Sequence, residues 1–212
     1  MTDKLKRLIF PPRCAYCRRL LTENEQHICC TCQQKPYALG RPKAYKGPFY
    51  KNALAALLYD GDVRRALHRF KFHGGVHLAA FFALSMYKKL AETDWEFDLI
   101  VPVPSHISKR YKKGYDHARL LAQELSRLTG VPYKPLLKKT RRTKPMYGLR
   151  VSQRRANILD SVACTQALEQ NCKRILLVDD IITTGCTMSE CARVVKDAGA
   201  ELVYGIAAAG IK

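Results

Sequence analysis

The run Ile175-Leu176-Leu177-Val178-Asp179-Asp180-Ile181-Ile182-Thr183-Thr184-Gly185-Cys186-Thr187 decides how the rest of the chain is read. From Arg174 to Asp179 it has the apolar continuity of a strand buried on both faces, as in a parallel sheet. Behind it, Met188 to Ala198 has helical spacing, and Gly199 stands at its end. In an open α/β sheet, ligands bind where strands end and helices begin. A helix amino terminus there offers free backbone N–H groups and a positive dipole end, which suits a phosphate. Thr183, Thr184 and Thr187 add hydroxyl donors around Cys186, and Gly185 allows close backbone approach. Asp179 and Asp180 would repel a phosphate. They suit ribose hydroxyls, or Mg2+ held through water. A phosphate at one end and a diol at the other describe a ribose 5-phosphate.

Upstream, strand and helix patterns alternate, which predicts an α/β fold with a mostly parallel sheet flanked by helices. Ala53 to Tyr59 reads as a strand, Asp60-Gly61 as a turn, and Asp62 as the cap of a helix from Val63 to Phe72. A second helix is expected from Val76 to Ala91, and a strand from Phe97 to Val101 that runs into Pro102-Val103-Pro104. Asp116 to Leu128 is an amphipathic helix closed by Gly130, and Tyr133 to Leu137 a further strand. Lys138 to Asn157 has no clear period and reads as a long basic loop; Glu201 to Ala208 is the closing strand.

The chain has 212 residues, 47% of them hydrophobic, enough for one sizeable core and a small appendage. No apolar run approaches the roughly 20 residues of a membrane span. The Leu8-Ile9-Phe10 patch is too short for a signal peptide, so the expected location is the cytoplasm. The net charge is +19. Between Ser105 and Arg155 stand fifteen Lys or Arg against Asp116 and Glu124 alone, a concentration that implies an anionic partner. Tyr111, Tyr115, Tyr133 and Tyr147 are interleaved with these cations, as rings that stack on bases would be.

Nine cysteines in a chain read as cytoplasmic argue for a metal site plus buried thiols, not a disulfide framework. Cys14 with Cys17 and Cys29 with Cys32 form two C-x2-C pairs, the pattern of a closed tetrahedral Zn2+ site with a structural role. Cys30 or His27 is an alternative fourth ligand. Cys164, Cys172, Cys186 and Cys191 are expected to pack as small apolar residues. The Pro- and Gly-rich stretch from Gln33 to Pro48 reads as a connection. The expected division is therefore 1–48, zinc knuckle and linker, and 49–212, the α/β domain.

The stretch Ile175 to Thr187 resembles the fingerprint of the type I phosphoribosyltransferases, whose ligand is phosphoribosyl pyrophosphate. This resemblance assigns Asp179, Asp180, Thr183, Thr184, Gly185, Cys186 and Thr187 to that ligand, with Mg2+. It implies a pyrophosphate loop at Pro104, Ser105, His106, Lys109 and Arg110. The basic segment after Lys138 becomes a hood over the substrate. The four-cysteine knuckle, Lys71-Phe72, Pro102-Val103-Pro104, Lys113 to Ala118, Arg154 with Asn157 and the fingerprint, in that order, resemble the ComF family of competence proteins. The chain departs from that family's usual residues at Lys113 to Ala118 and at Met146. The resemblance implies a role in DNA uptake for natural transformation, single-stranded DNA and a helicase-like competence protein as partners, and anion contacts at Lys71 and Arg154. Hypoxanthine–guanine relatives carry an Asp where Thr183 stands, and a hydroxyl cannot exchange a proton with a base near neutral pH. Binding of phosphoribosyl pyrophosphate or a nucleotide is therefore favoured over its alternative, phosphoribosyl transfer to an unidentified nucleobase-like acceptor.

Overall fold

The computed structural model describes residues 11–34, 44–105, 115–143 and 150–211, the side chains of 151 and 155 excepted. Its centre is the strand foreseen at Ile175, β5 (Arg174–Ile182), which runs through both aspartates before it ends. On one side it pairs with β2 (Leu99–Pro102), on the other with β6 (Leu202–Gly210), and β6 pairs with β1 (Asn52–Leu58). All pairings are parallel, giving the order β1-β6-β5-β2. A separate antiparallel pair joins β3 (Leu137–Lys139) to β4 (Val162–Cys164).

Alternation along β5 separates two cores. Leu176 and Val178 face a layer made by α2 (Gly61–Phe72), α3 (Leu78–Leu90) and α4 (His117–Thr129). Ile175 and Leu177 face the opposite side, where α6 (Cys186–Asp197) lays Met188, Cys191, Ala192 and Val195 on the sheet. The knuckle, with the short α1 (Cys30–Gln33), packs on the first layer. Cys14, Ala15 and Tyr16 share one core with Phe70, Phe81 and Phe82. The Tyr16 and Phe81 rings meet edge to face, with centroids 5.4 Å apart.

Several local expectations are corrected. Asp60, not Asp62, caps α2: its carboxylate accepts from the Gly61 N–H at 2.7 Å, because the helix starts two residues earlier than its apolar pattern. Asp62 is buried in the first turn and paired with Arg65. Tyr133 makes only an isolated bridge to Ile100, and the strand begins at Leu137. The basic stretch expected as loop holds β3 at one end and α5 (Val151–Ile158) at the other. Helix α5 has little apolar periodicity to announce it. Buried Ile158 and the hydrogen bond from Asp160 N–H to Glu190 of α6 (2.9 Å) hold its end in place. Among the described residues, no helix is long and apolar enough to cross a membrane.

Candidate functional site

The turn between β5 and α6 is built around one glycine. Gly185 caps α6 with φ of 73°, a left-handed value that side chains rarely adopt. A Cβ there would also lie 2.5 Å from the hydroxyl of Tyr50, a buried residue from the segment before β1. Nothing in the sequence marks Tyr50, a lone aromatic in a Pro- and Gly-rich stretch. Its neighbour Tyr45 anchors the same edge, with its hydroxyl 2.9 Å from the carbonyl of Ile211 and 3.2 Å from that of Ile182. Tyr45 thus braces the ends of β5 and β6, and Tyr50 lies against the turn.

Thr183, Thr184, Gly185, Cys186 and Thr187 line one small pocket together with Asp179 and Arg154. Arg154, carried by α5, donates to the Thr183 hydroxyl at 3.3 Å. The Thr184 hydroxyl donates to the buried Cys186 sulfur at 3.2 Å. The first turn of α6 therefore opens onto a pocket with a guanidinium above it, an arrangement that can hold an anion.

The two aspartates behave differently. Asp180 is paired with Lys71 of α2 at 2.8 Å. Burial works against the Lys71 ammonium, but the charges of Asp180 and Asp179 outweigh it and raise its pKa. Burial, with the Asp180 charge added, pushes Asp179 up to about 8. The Asp179 carboxylate accepts from the Asp180 N–H at 2.8 Å. Asp180 is thus paired with a lysine, while burial and the neighbouring carboxylate make the ionised form of Asp179 costly, so the pair is set to respond to an incoming cation.

Of the remaining expected residues, Pro104 and Ser105 follow β2, whose register sets Pro102 against Val178. The Ser105 hydroxyl is hydrogen-bonded to Asp116, which also caps α4 through the Arg119 N–H. His117 packs against the Phe70 and Tyr115 rings, with centroids 5.1 and 5.2 Å away, a place within the helical layer. His106, Lys109 and Arg110 lie outside the described residues, as do Tyr111, Lys113, Met146 and Tyr147.

The knuckle gathers the sulfurs of Cys14, Cys17, Cys29 and Cys32 within 4.8 Å of one another. A tetrahedron with Zn–S bonds of about 2.3 Å has edges of about 3.8 Å, and the Cys17 and Cys29 sulfurs are 3.6 Å apart. Burial and the neighbouring sulfurs push the Cys32 thiol far above its ordinary range, a penalty that a cation at the centre would remove. The cluster fits a metal ion such as zinc. Cys30 is exposed, and the His27 ring packs near Phe81, so neither joins the four.

The family pattern described as phosphoribosyl transferase domain matches residues 83–209. The chain belongs to that family. That match takes in β2, β5, β6 and the cradle but not β1, while similarity over most of the chain takes in the knuckle as well. Competence protein F of Haemophilus influenzae is 28% identical over 224 residues, covering 93% of this chain and 97% of that protein. Competence protein ComFC of Bacillus subtilis is 24% identical, covering 88% of this chain and 78% of that one. DNA utilization protein YhgH of Escherichia coli K12 is 24% identical, covering 92% and 96%. The resemblance to the ComF family therefore stands, on a phosphoribosyltransferase-like fold with a four-cysteine cluster at its amino-terminal end.

Proposed function

We propose that this chain is a ComF-type protein of DNA uptake, acting in the cytoplasm, that binds phosphoribosyl pyrophosphate or a nucleotide in the cradle between β5 and α6. Residues 1–48 form its Zn2+-holding part and 49–212 its phosphoribosyltransferase-like domain. One observation carries the ligand assignment: Asp179 and Asp180 stand two residues before a threonine–glycine turn that opens a helix beneath Arg154. The helix amino terminus, Thr183 and Thr187 receive the 5-phosphate, and Arg154 closes over it. Asp179 and Asp180 take the ribose hydroxyls or water-held Mg2+. Pro104, Ser105 and the basic residues beyond them, His106, Lys109 and Arg110, receive the pyrophosphate.

The names of the relatives, competence and DNA utilization, supply the biological setting. Single-stranded DNA and a helicase-like competence protein complete the proposed partners. We assign binding rather than base exchange because position 183 offers a hydroxyl engaged by Arg154, not an acid. Titration calorimetry with phosphoribosyl pyrophosphate and Mg2+ tests the ligand. Saturable binding is expected, weakened at least tenfold in Asp180→Asn; no binding by the unaltered protein would end the proposal.

A further inference from the structure

Away from the cradle, three cavities run into one another along the seam between the knuckle and helices α2 and α3. The central one, about 810 Å3, is lined by Arg13, Arg18, Arg64, Arg65 and Arg69. A flank of about 560 Å3 shares Arg18, Arg65 and Arg69 with it, and another of about 760 Å3 shares Arg13 and His77. The central cavity has no lining residue in common with the pocket at Thr183 to Thr187.

Carboxylates compensate the charge of this seam only in part. Two carboxylates stand in it, Asp60, which accepts from the Gly61 N–H, and Asp62, which pairs with Arg65. Arg13 donates to the Arg18 carbonyl at 3.2 Å, and Arg69 to the carbonyls of Ala15 and Tyr16, neither of which carries charge. Among the described residues, no carboxylate pairs with Arg18 or Arg64. Burial, and then the charges of Arg18 and Arg65, lower the pKa of Arg69, and the opposing charge of Asp62 does not offset them.

Arg18 itself carries a second signal. It follows the first C-x2-C pair with φ of 67°, a conformation that glycine takes without cost. A long cation at that position strains the backbone by about 1 kcal/mol or more and sets a guanidinium at the junction of two cavities.

We propose that this seam is a binding groove for the phosphodiester backbone of single-stranded nucleic acid. The chain of connected cavities suits an extended polyanion better than one small metabolite. Exposed imidazoles at His68, His73 and His77 line the same cavity and offer flat faces to bases. The groove rests on the reading of single-stranded DNA as a partner, but it places the contact on the knuckle seam instead of the basic segment between 105 and 155.

The test is fluorescence anisotropy of the full chain with a labelled single strand of about 20 nucleotides, longer than one fold's usual site, across a salt series. Arg18→Gly and Arg64→Gln are each expected to weaken binding several-fold and to reduce the slope of log affinity against log salt by about 0.7. Arg18→Gly should retain its metal content and melt at or above the temperature of the unaltered protein, which separates lost contact from lost folding. If the unaltered protein fails to bind, DNA partnership itself falls. If it binds and both variants keep its affinity and slope, DNA partnership stands and the groove is wrong. Duplex bound as tightly as the single strand, with the same losses in the variants, would overturn the single-strand assignment.

Discussion

A carboxyl that titrates near 8 is a neutral acid at pH 7, and Asp179 is placed to be one. In the unfolded chain its pKa is about 3.9; in the fold, burial and Asp180 raise it to about 8. Between those values the native state holds the extra proton, so stability falls as pH rises from about 4 to about 8. Asp179→Asn removes the titration. It should flatten this part of the stability profile and melt higher than the unaltered protein at pH 8, by about 2–4 °C for each kcal/mol relieved. Thermal melts across pH check it, and identical profiles would show that another group titrates. The residue types at this site were legible because an acid pair and a threonine–glycine turn have few structural uses together. The raised pKa of Asp179 was not, because it comes from burial that only the folded chain creates, and neither was the partner of Asp180, Lys71, which α2 brings from more than a hundred positions away in sequence.

Among elements, β5 was legible because a strand buried on both faces must be apolar throughout, and only its end was misplaced. The strand continues to Ile182 because Asp179 and Ile181 still pair with β6, and α6 starts at Cys186 because Gly185 takes the left-handed turn. Helix α5 was not legible. Its polar surface gives no period, and what fixes it is a network on its neighbour α6. Arg193 pairs with Glu190 at 2.7 Å and with Asp160 at 3.1 Å, just beyond the end of α5. Glu190 is buried, so Arg193→Ala leaves its carboxylate without a countercharge, held among the described residues only by the Asp160 N–H, and should cost about 3 kcal/mol. Because α5 carries Arg154, the same change should weaken phosphoribosyl pyrophosphate binding although Arg193 lines no part of the pocket. Denaturant melts and calorimetry measure the two effects; a variant that loses stability but binds unchanged would separate α5 from the cradle.

Across the whole molecule, the knuckle and the sheet domain share one core, a relation that the Pro- and Gly-rich connection between them conceals in the sequence. Cys14, Ala15, Cys29 and Cys32 are buried in the same core as Phe70, Phe82, Leu176 and Val178. Arg69 of α2 ties the Ala15 and Tyr16 carbonyls to the helical layer. A metal held by the four sulfurs therefore acts on the full structure, since losing it exposes apolar surface that α2 and α3 also use. Chelation should lower the melting temperature of the entire chain in a single transition, with near-ultraviolet and far-ultraviolet dichroism changing together. Restoring zinc should restore both. A chain whose sheet domain melts at the same temperature with and without metal would instead be built of two independent parts, and the seam between them could not then keep the fixed spacing of arginines that a polyanion groove requires.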